Sequence, residues 1–248
     1  ENDETLVYWQ DNRWGESKIY GSKITLSFNG TGDIFSEDVN GQLLTSLSLA
    51  QETPKAILAG NKIFLSYKVE ESPNENLYFQ LLNIDLSLSG DATALASSST
   101  SKQGFDMIYG EDDYIYYAYS ENYDISIKKI SSSGADEWSF SAVTNSADDI
   151  IKAIYPYPGS GCIIIYDFLF HPNFSLKLAK INSNGMMVEN WENVLLSTEG
   201  DKGYFEDAVQ TSDGLFVTWR NNDKELLEWR AATGETAFEK SEATSEEI

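Results

Sequence analysis

The sequence holds one cysteine, Cys162, one histidine, His171, and five prolines in 248 residues. A lone cysteine excludes an intrachain disulfide, so stability must come from a packed core. The run Gly161-Cys162-Ile163-Ile164-Ile165 marks that cysteine as a small buried hydrophobe. A lone histidine cannot build a metal site, and His171 stands beside Pro172 in an expected loop. No serine or cysteine sits in a nucleophile elbow, no glycine-rich loop is made to cradle phosphate, and cysteine clusters are missing; neither a metal nor a cofactor is expected. Basic residues are scarce as well: 17 Lys and Arg stand against 40 Asp and Glu, a formal net charge of −23. Such a field repels nucleic-acid backbones and anionic bilayers. Its plain role is solubility, and no Asp-x-Asp-x-Asp-Gly loop argues for calcium instead. The longest apolar runs are strand-length, which excludes a membrane-spanning helix, and no amphipathic helical run or signal-peptide pattern is read. The opening Glu1-Asn2-Asp3-Glu4 has the look of a processed or excised start.

What the chain does have is β-forming aromatics: 14 Tyr, 12 Phe and 6 Trp, within a hydrophobic share of 41% that can fill a substantial core. They recur in phase. Leu6-Val7-Tyr8-Trp9-Gln10, Phe64-Leu65-Ser66-Tyr67-Lys68, Tyr116-Tyr117-Ala118-Tyr119-Ser120, Ile163-Ile164-Ile165-Tyr166-Asp167 and Phe216-Val217-Thr218-Trp219-Arg220 are one phrase repeated. The anchors Trp9, Tyr67, Tyr119, Tyr166 and Trp219 return with a period of about 50 residues, in the range of propeller blades. After each anchor comes a polar turn and a second strand, near 18–25, 76–85, 125–131, 175–182 and 226–232. Each second strand runs into a glycine turn at Gly30, Gly90, Gly134, Gly185 or Gly234, where φ above zero suits glycine. A weaker strand follows, and another precedes each anchor, near 54–59, 105–109, 150–155 and 205–210.

One unit is therefore four short strands. A lone sheet of that size cannot bury both faces, whereas stacked copies can. The expectation is an all-β propeller of four-stranded antiparallel blades, five in number, forming a single domain over 1–248 with repeats near 1–52, 53–102, 103–148, 149–201 and 202–248. A β-sandwich also uses short strands, but nothing in it requires one phrase repeated in phase. The first repeat begins at its anchor strand, so its inner strand is missing. Closure would need the C-terminus to supply that strand, and residues 239–248 are polar and poor in β-formers. Either that tail pairs anyway or the chain is a segment of a larger propeller. The hexapeptide Glu75-Asn76-Leu77-Tyr78-Phe79-Gln80 matches a potyviral protease recognition sequence, yet it falls in phase with the other second strands and reads as native strand.

Two sets of residues carry candidate functions. The inner strands place Lys55, Asp106, Lys152 and Asp207 at one station before a small or Met residue. A ring of compensating charges along a wet channel is the plain expectation. The sharper one is a glycosidase-like carboxylate pair, Asp106 and Asp207, with lysines holding substrate. Sialidase chemistry, which needs an arginine cluster, fits poorly with three arginines in all, Arg13, Arg220 and Arg230. On loops, Trp14, Tyr123, Phe170, His171 and Phe174 are the natural contacts for a partner, because aromatics give large area at low entropic cost. The excursion Phe168-Leu169-Phe170-His171-Pro172-Asn173-Phe174 either marks a contact surface or folds back over its blade.

The stretch Trp9-Gln10-Asp11-Asn12-Arg13, followed by Ile19-Tyr20 and by Gly41, resembles the repeat of secreted β-propellers from Bacteroidota surface and gliding-related proteins. Gly134-Ala135-Asp136-Glu137-Trp138 shares the likeness, while the later repeats lack the Asp-x-Arg. The resemblance implies an exported, cell-surface or secreted module that binds protein or glycan, without membrane insertion, inside a larger multidomain chain or assembly. Blade consensus reports architecture more than activity. The expected function is therefore non-catalytic binding or scaffolding, with a glycan-active enzyme built on Asp106 and Asp207 as the alternative.

Overall fold

The computed structural model describes residues 3–13, 15–26, 35–36, 41–71, 74–97, 100, 102–122, 124–142, 148–157, 160–170, 173–189, 191, 194–196, 203–211, 214–221, 224–231 and 241–243. Among them every regular element is a β-strand, and the strands form five antiparallel sheets. The chain divides into two compact units, Glu1–Ser101 and Lys102–Ile248, a boundary that falls at the end of the second repeat.

The first unit holds two sheets. The first contains β1 (Asp3–Asp11), β2 (Lys18–Leu26), β3 (Phe35–Ser36) and β4 (Gln42–Leu43). β1 pairs β2 along its whole length, and the two-residue strands β3 and β4 share the far edge of β2. The second sheet runs β5 (Gln51–Ala59), β6 (Lys62–Glu71), β7 (Asn74–Asn83) and β8 (Thr93–Ala96) in order. The two sheets share a core in which Ile19 and Leu44 meet Ile63, Leu65, Tyr67 and Val69. The protease-like hexapeptide lies inside β7, with Leu77, Phe79 and Gln80 buried, as its phase implies.

The second unit repeats the plan three times. Its sheets are β9 (Lys102–Tyr109), β10 (Tyr114–Glu121), β11 (Asp124–Ser131) and β12 (Asp136–Ala142); then β13 (Asp148–Pro156), β14 (Gly161–Phe170), β15 (Asn173–Asn182) and β16 (Val194–Leu195); then β17 (Gly203–Thr211), β18 (Gly214–Asn221), β19 (Lys224–Ala231) and β20 (Ser241–Ala243). β14 shows why this sequence stacks. Cys162, Ile164 and Tyr166 join Tyr116, Ala118, Ile125 and Ile127 of the third sheet in one core. Ile163 and Ile165 point the other way and join Ala208, Leu215, Val217 and Trp219 of the fifth. An unbroken apolar run is what a strand covered on both faces needs, and each such side chain contributes about 1.5–3 kcal/mol on burial. Burial also pushes the Cys162 thiol well above its ordinary range, which keeps it inert.

The glycine turns behave as expected where they are described: Gly90, Gly134 and Gly185 have φ of 92°, 87° and 79°. Gly185 has a second reason. A side chain there would press on the Trp138 ring, whose Nε1 donates to the Ser183 carbonyl at 2.9 Å, so the turn of the fourth sheet doubles as the seat for the third sheet's tryptophan. The C-terminal tail does pair, but on an outer edge: Ser241, Glu242 and Ala243 lie against Leu227, Leu226 and Glu225 of β19. It gives the fifth sheet its fourth strand.

Candidate functional site

The charged inner-strand stations of the second unit form the best-defined candidate. Each first strand there is interrupted by a bulge: the register slips around Gln103 in β9, at Lys152 in β13 and at Glu206 in β17. A bulge inserts one unpaired residue and re-aims those after it. Counting from the partner of the residue that precedes each anchor, the equivalent stations are Lys55 opposite Ser66, Asp106 opposite Ala118, Ala153 opposite Ile165 and Asp207 opposite Thr218. Lys152, aligned by sequence with Asp106 and Asp207, is instead the bulge residue and matches Glu206. The alternation of charge expected from the sequence therefore fails in β13, because a one-residue insertion leaves no trace in composition.

The bulge residues have their own partners. Lys152 Nζ lies 2.7 Å from the Asp167 carboxylate, and Glu206 lies 3.3 Å from Arg220 Nε. Asp167 and Arg220 both follow their anchors, so one geometry recurs with its signs exchanged. Burial raises the Asp167 pKa, and the Lys152 ammonium opposes that rise. Deeper in the third sheet, the fully buried Lys102 meets Glu121 at 3.1 Å.

The two candidate carboxylates are tied to backbone. Asp106 Oδ2 accepts the N–H of Ile154 on β13 at 3.1 Å, and Asp207 Oδ1 accepts the N–H of Ala208 at 2.8 Å. Between their fields sits Tyr155. Burial first, then the charges of Asp207 and Asp106, push its phenol up to about 12, while a hydrogen bond from the Ala208 N–H works the other way. Tyr155 was missed as a candidate in the sequence. The signal was there: its station is Ile57, Ile108 and Val209 in the other inner strands, so a hydroxyl breaks an apolar pattern. The unit thus brings Asp106, Tyr155 and Asp207 into one electrostatic group. This arrangement can brace adjacent strands and offer hydrogen bonds to a polar ligand.

The aromatic loop candidates are not tested by this geometry. Trp14, Tyr123 and His171 lie outside the described residues, and Phe170 and Phe174 are placed only as backbone, opposite Asn173 and Leu169. Among the described residues no group of three or more His, Cys, Asp and Glu side chains is placed to hold a metal ion.

No protein-family model matches the chain. A stretch of 47 residues, 18% of the chain, is 77% identical to a ketol-acid reductoisomerase (NADP(+)) of Christiangramia forsetii and covers 10% of that enzyme. A stretch of 29 residues is 67% identical to the enzyme of the same name from Cytophaga hutchinsonii, covering 12% of this chain and 6% of that one. The chain spans a tenth or less of the curated relatives it matches. Solved structures match over far more of it. A periplasmic gluconolactonase of Pseudomonas aeruginosa aligns with 96% of the chain and 69% of its own, at a TM-score of 0.58 and 11% identity. An exo-beta-1,3-galactanase of Phanerochaete chrysosporium, solved with galactose, covers 98% and 66% at a TM-score of 0.51 and 12% identity. A protein of unknown function from Bacteroides caccae covers 100% and 75% at a TM-score of 0.50 and 13% identity. At these identities the likeness shows the fold, an antiparallel all-β fold of the propeller class.

Proposed function

We propose that this chain is a five-bladed β-propeller module that binds rather than catalyses, engaging a protein or glycan partner at the cell surface or outside the cell as part of a larger assembly. The observation that carries the reading is the engagement of both candidate carboxylates with strand backbone. Asp106 fastens β9 to the Ile154 N–H of the next sheet, and Asp207 holds the N–H of its own neighbour. A carboxylate that fastens one strand to the next, as Asp106 does, has a structural use that accounts for its place, while the Asp207 bond stays within its own strand. The resemblance of the first repeat to those of secreted Bacteroidota propellers favours export, and the acidic balance suits an exposed module.

A second reading, a glycan-active enzyme, has one observation in its favour. The charges of Asp106 and Asp207 both raise the Tyr155 phenol, behind burial, which favours a shared neighbourhood for the two acids. The galactanase likeness adds only fold. A tenth of a reductoisomerase's length carries neither its fold nor its activity. One comparison separates the readings. A glycan array and an affinity capture from surface extracts should each be run on the parent chain and on Asp106→Asn and Asp207→Asn. Retained binding in both variants, with no hydrolysis by any, is the expected result. An empty array together with an empty capture removes the binding reading, and glycan hydrolysis lost in both variants replaces it with the enzyme.

A further inference from the structure

Within the first unit, where β1 turns into β2 beside the start of β5, lies a cleft of about 350 Å3 lined by Gln10, Asn12, Ser17 and Glu52. A water takes about 30 Å3 of liquid, so the space suits about twelve waters, or a sugar ring with some of them left. All four lining residues are polar, whereas an ordinary ligand pocket is mostly apolar.

The walls are fixed by bonds that leave the lining groups over. The Gln51 N–H donates to the Ser17 carbonyl at 2.9 Å. The buried Gln51 side chain accepts the Thr45 hydroxyl at 2.6 Å and donates to the Leu47 carbonyl at 2.9 Å. A bulge follows Glu52 in β5, and Thr53 sits at φ 47°, a left-handed conformation that a β-branched residue rarely adopts. Gln10 Oε1 holds the Thr53 N–H at 3.3 Å, which leaves the Gln10 amide nitrogen for the cleft. The neighbouring cations are engaged elsewhere. Arg13 meets Asp11, Lys68 opposite Glu52 meets Glu75 at 3.2 Å, and Lys18 Nζ donates to the carbonyls of Ser48 and, at 2.6 Å, Leu49. Glu52 is half-buried and enters none of the ion pairs among the described residues. The Ser17 hydroxyl oxygen is buried without a hydrogen-bond partner. Buried polar groups are nearly always paired, so an orphan lining a cleft points to a partner from outside the chain.

We propose that this cleft binds one ring of a neutral glycan. The amide nitrogens of Gln10 and Asn12 donate to its oxygens, Glu52 accepts from one hydroxyl, and Ser17 Oγ bonds a second. Sugar hydroxyls both donate and accept, which suits a lining of two amides, a hydroxyl and a single carboxylate. A calcium ion would want several carboxylates, and an extended peptide would want apolar pockets for alternate side chains; the lining offers neither. A net charge of −23 turns away acidic sugars. No aromatic ring is among the lining residues, so a single sugar ring binds with a Kd of about a millimolar. This rests on the binding reading and narrows it to glycan, at a site in the first unit that uses neither Asp106 nor Asp207.

The probes are the methyl glycosides of glucose, galactose and mannose, titrated into the 15N-labelled full chain, with glucuronate and triglycine beside them. Saturable shifts of the Ser17 and Glu52 amides are expected with at least one neutral glycoside and with neither control. Glu52→Gln and Ser17→Ala should each weaken that binding about tenfold or more. Ser17→Ala removes a hydroxyl that has no partner in the free chain, so its Tm should hold or rise while its affinity falls, an outcome that a misfolded variant could not give. Asp106→Asn and Asp207→Asn should bind as the parent does. No shift at these amides with any glycoside up to about 50 times the expected millimolar Kd, equal shifts with triglycine or glucuronate, or affinity unchanged by both cleft variants overturns the proposal. A glycan-array hit that survives Glu52→Gln and Ser17→Ala, or an empty array beside a positive protein capture, removes this cleft and leaves the binding reading standing.

Discussion

β1 and β14 carry the same phrase and meet opposite surroundings. In β14, Ile163, Ile164, Ile165 and Tyr166 lie between β13 and β15 and between two cores, and all four are buried. In β1, Leu6, Tyr8 and Trp9 are only partly covered, and Val7 is exposed. The phrase therefore encodes a place in a sheet, and the neighbours decide how much burial that place receives.

The largest test of this contrast is the anchors. Tyr166→Ala and Trp219→Ala should each cost about 3–5 kcal/mol, because a fully buried ring leaves a cavity. Trp9→Ala should cost less, about 2–3 kcal/mol, since part of its surface already meets water. Urea denaturation, with each transition fitted separately, would measure all three. Equal costs would break the comparison.

A smaller effect should appear in alkali. The Tyr155 phenol titrates near about 12 in the folded chain against an ordinary 10. A raised tyrosine pKa means the unfolded chain gives up that proton first. The contribution of Tyr155 is therefore whole below pH 10 and drains away as pH climbs toward 12. Tyrosinate absorbance of the parent minus that of Tyr155→Phe should show this late step. Asp207→Asn and Asp106→Asn should each move the step to lower pH without abolishing the rise, because burial is its first cause. A Tyr155 step at the ordinary value would dissolve the Asp106–Tyr155–Asp207 group.

Period and turn chemistry made the sheets legible in the sequence. The anchors, the second strands and the turns at Gly90, Gly134 and Gly185 sit where the repeat put them. Three features were not. The bulges at Lys152 and Glu206 moved charges by one station, and a bulge depends on cross-strand register that no single strand displays. The outer strands β3, β4 and β16 are two residues long, too short for an alternating pattern. The tail at 241–243 pairs despite its polarity, because an outer edge asks for backbone bonds and little side-chain burial. Of the candidate site, the carboxylates could be named from the sequence. Their backbone partners could not, because Ile154 meets Asp106 only across two sheets.

The smallest effect, and the sharpest on this point, concerns the pairs formed by the bulge residues. Lys152–Asp167 and Glu206–Arg220 occupy matching stations with opposite polarity, so the geometry asks for unlike charges and is indifferent to which comes first. In the first sheet the same station is Gln10, whose Oε1 accepts the Thr53 N–H at 3.3 Å. The double variant Lys152→Glu with Asp167→Arg should then stay within about 0.5–1 kcal/mol of the parent, although either single change sets like charges together. The singles should be felt more in the fourth sheet than the corresponding ones in the fifth. Asp167 is a largely covered carboxylate whose burial works against its charge, while Glu206 and Arg220 are about half exposed and screened by water.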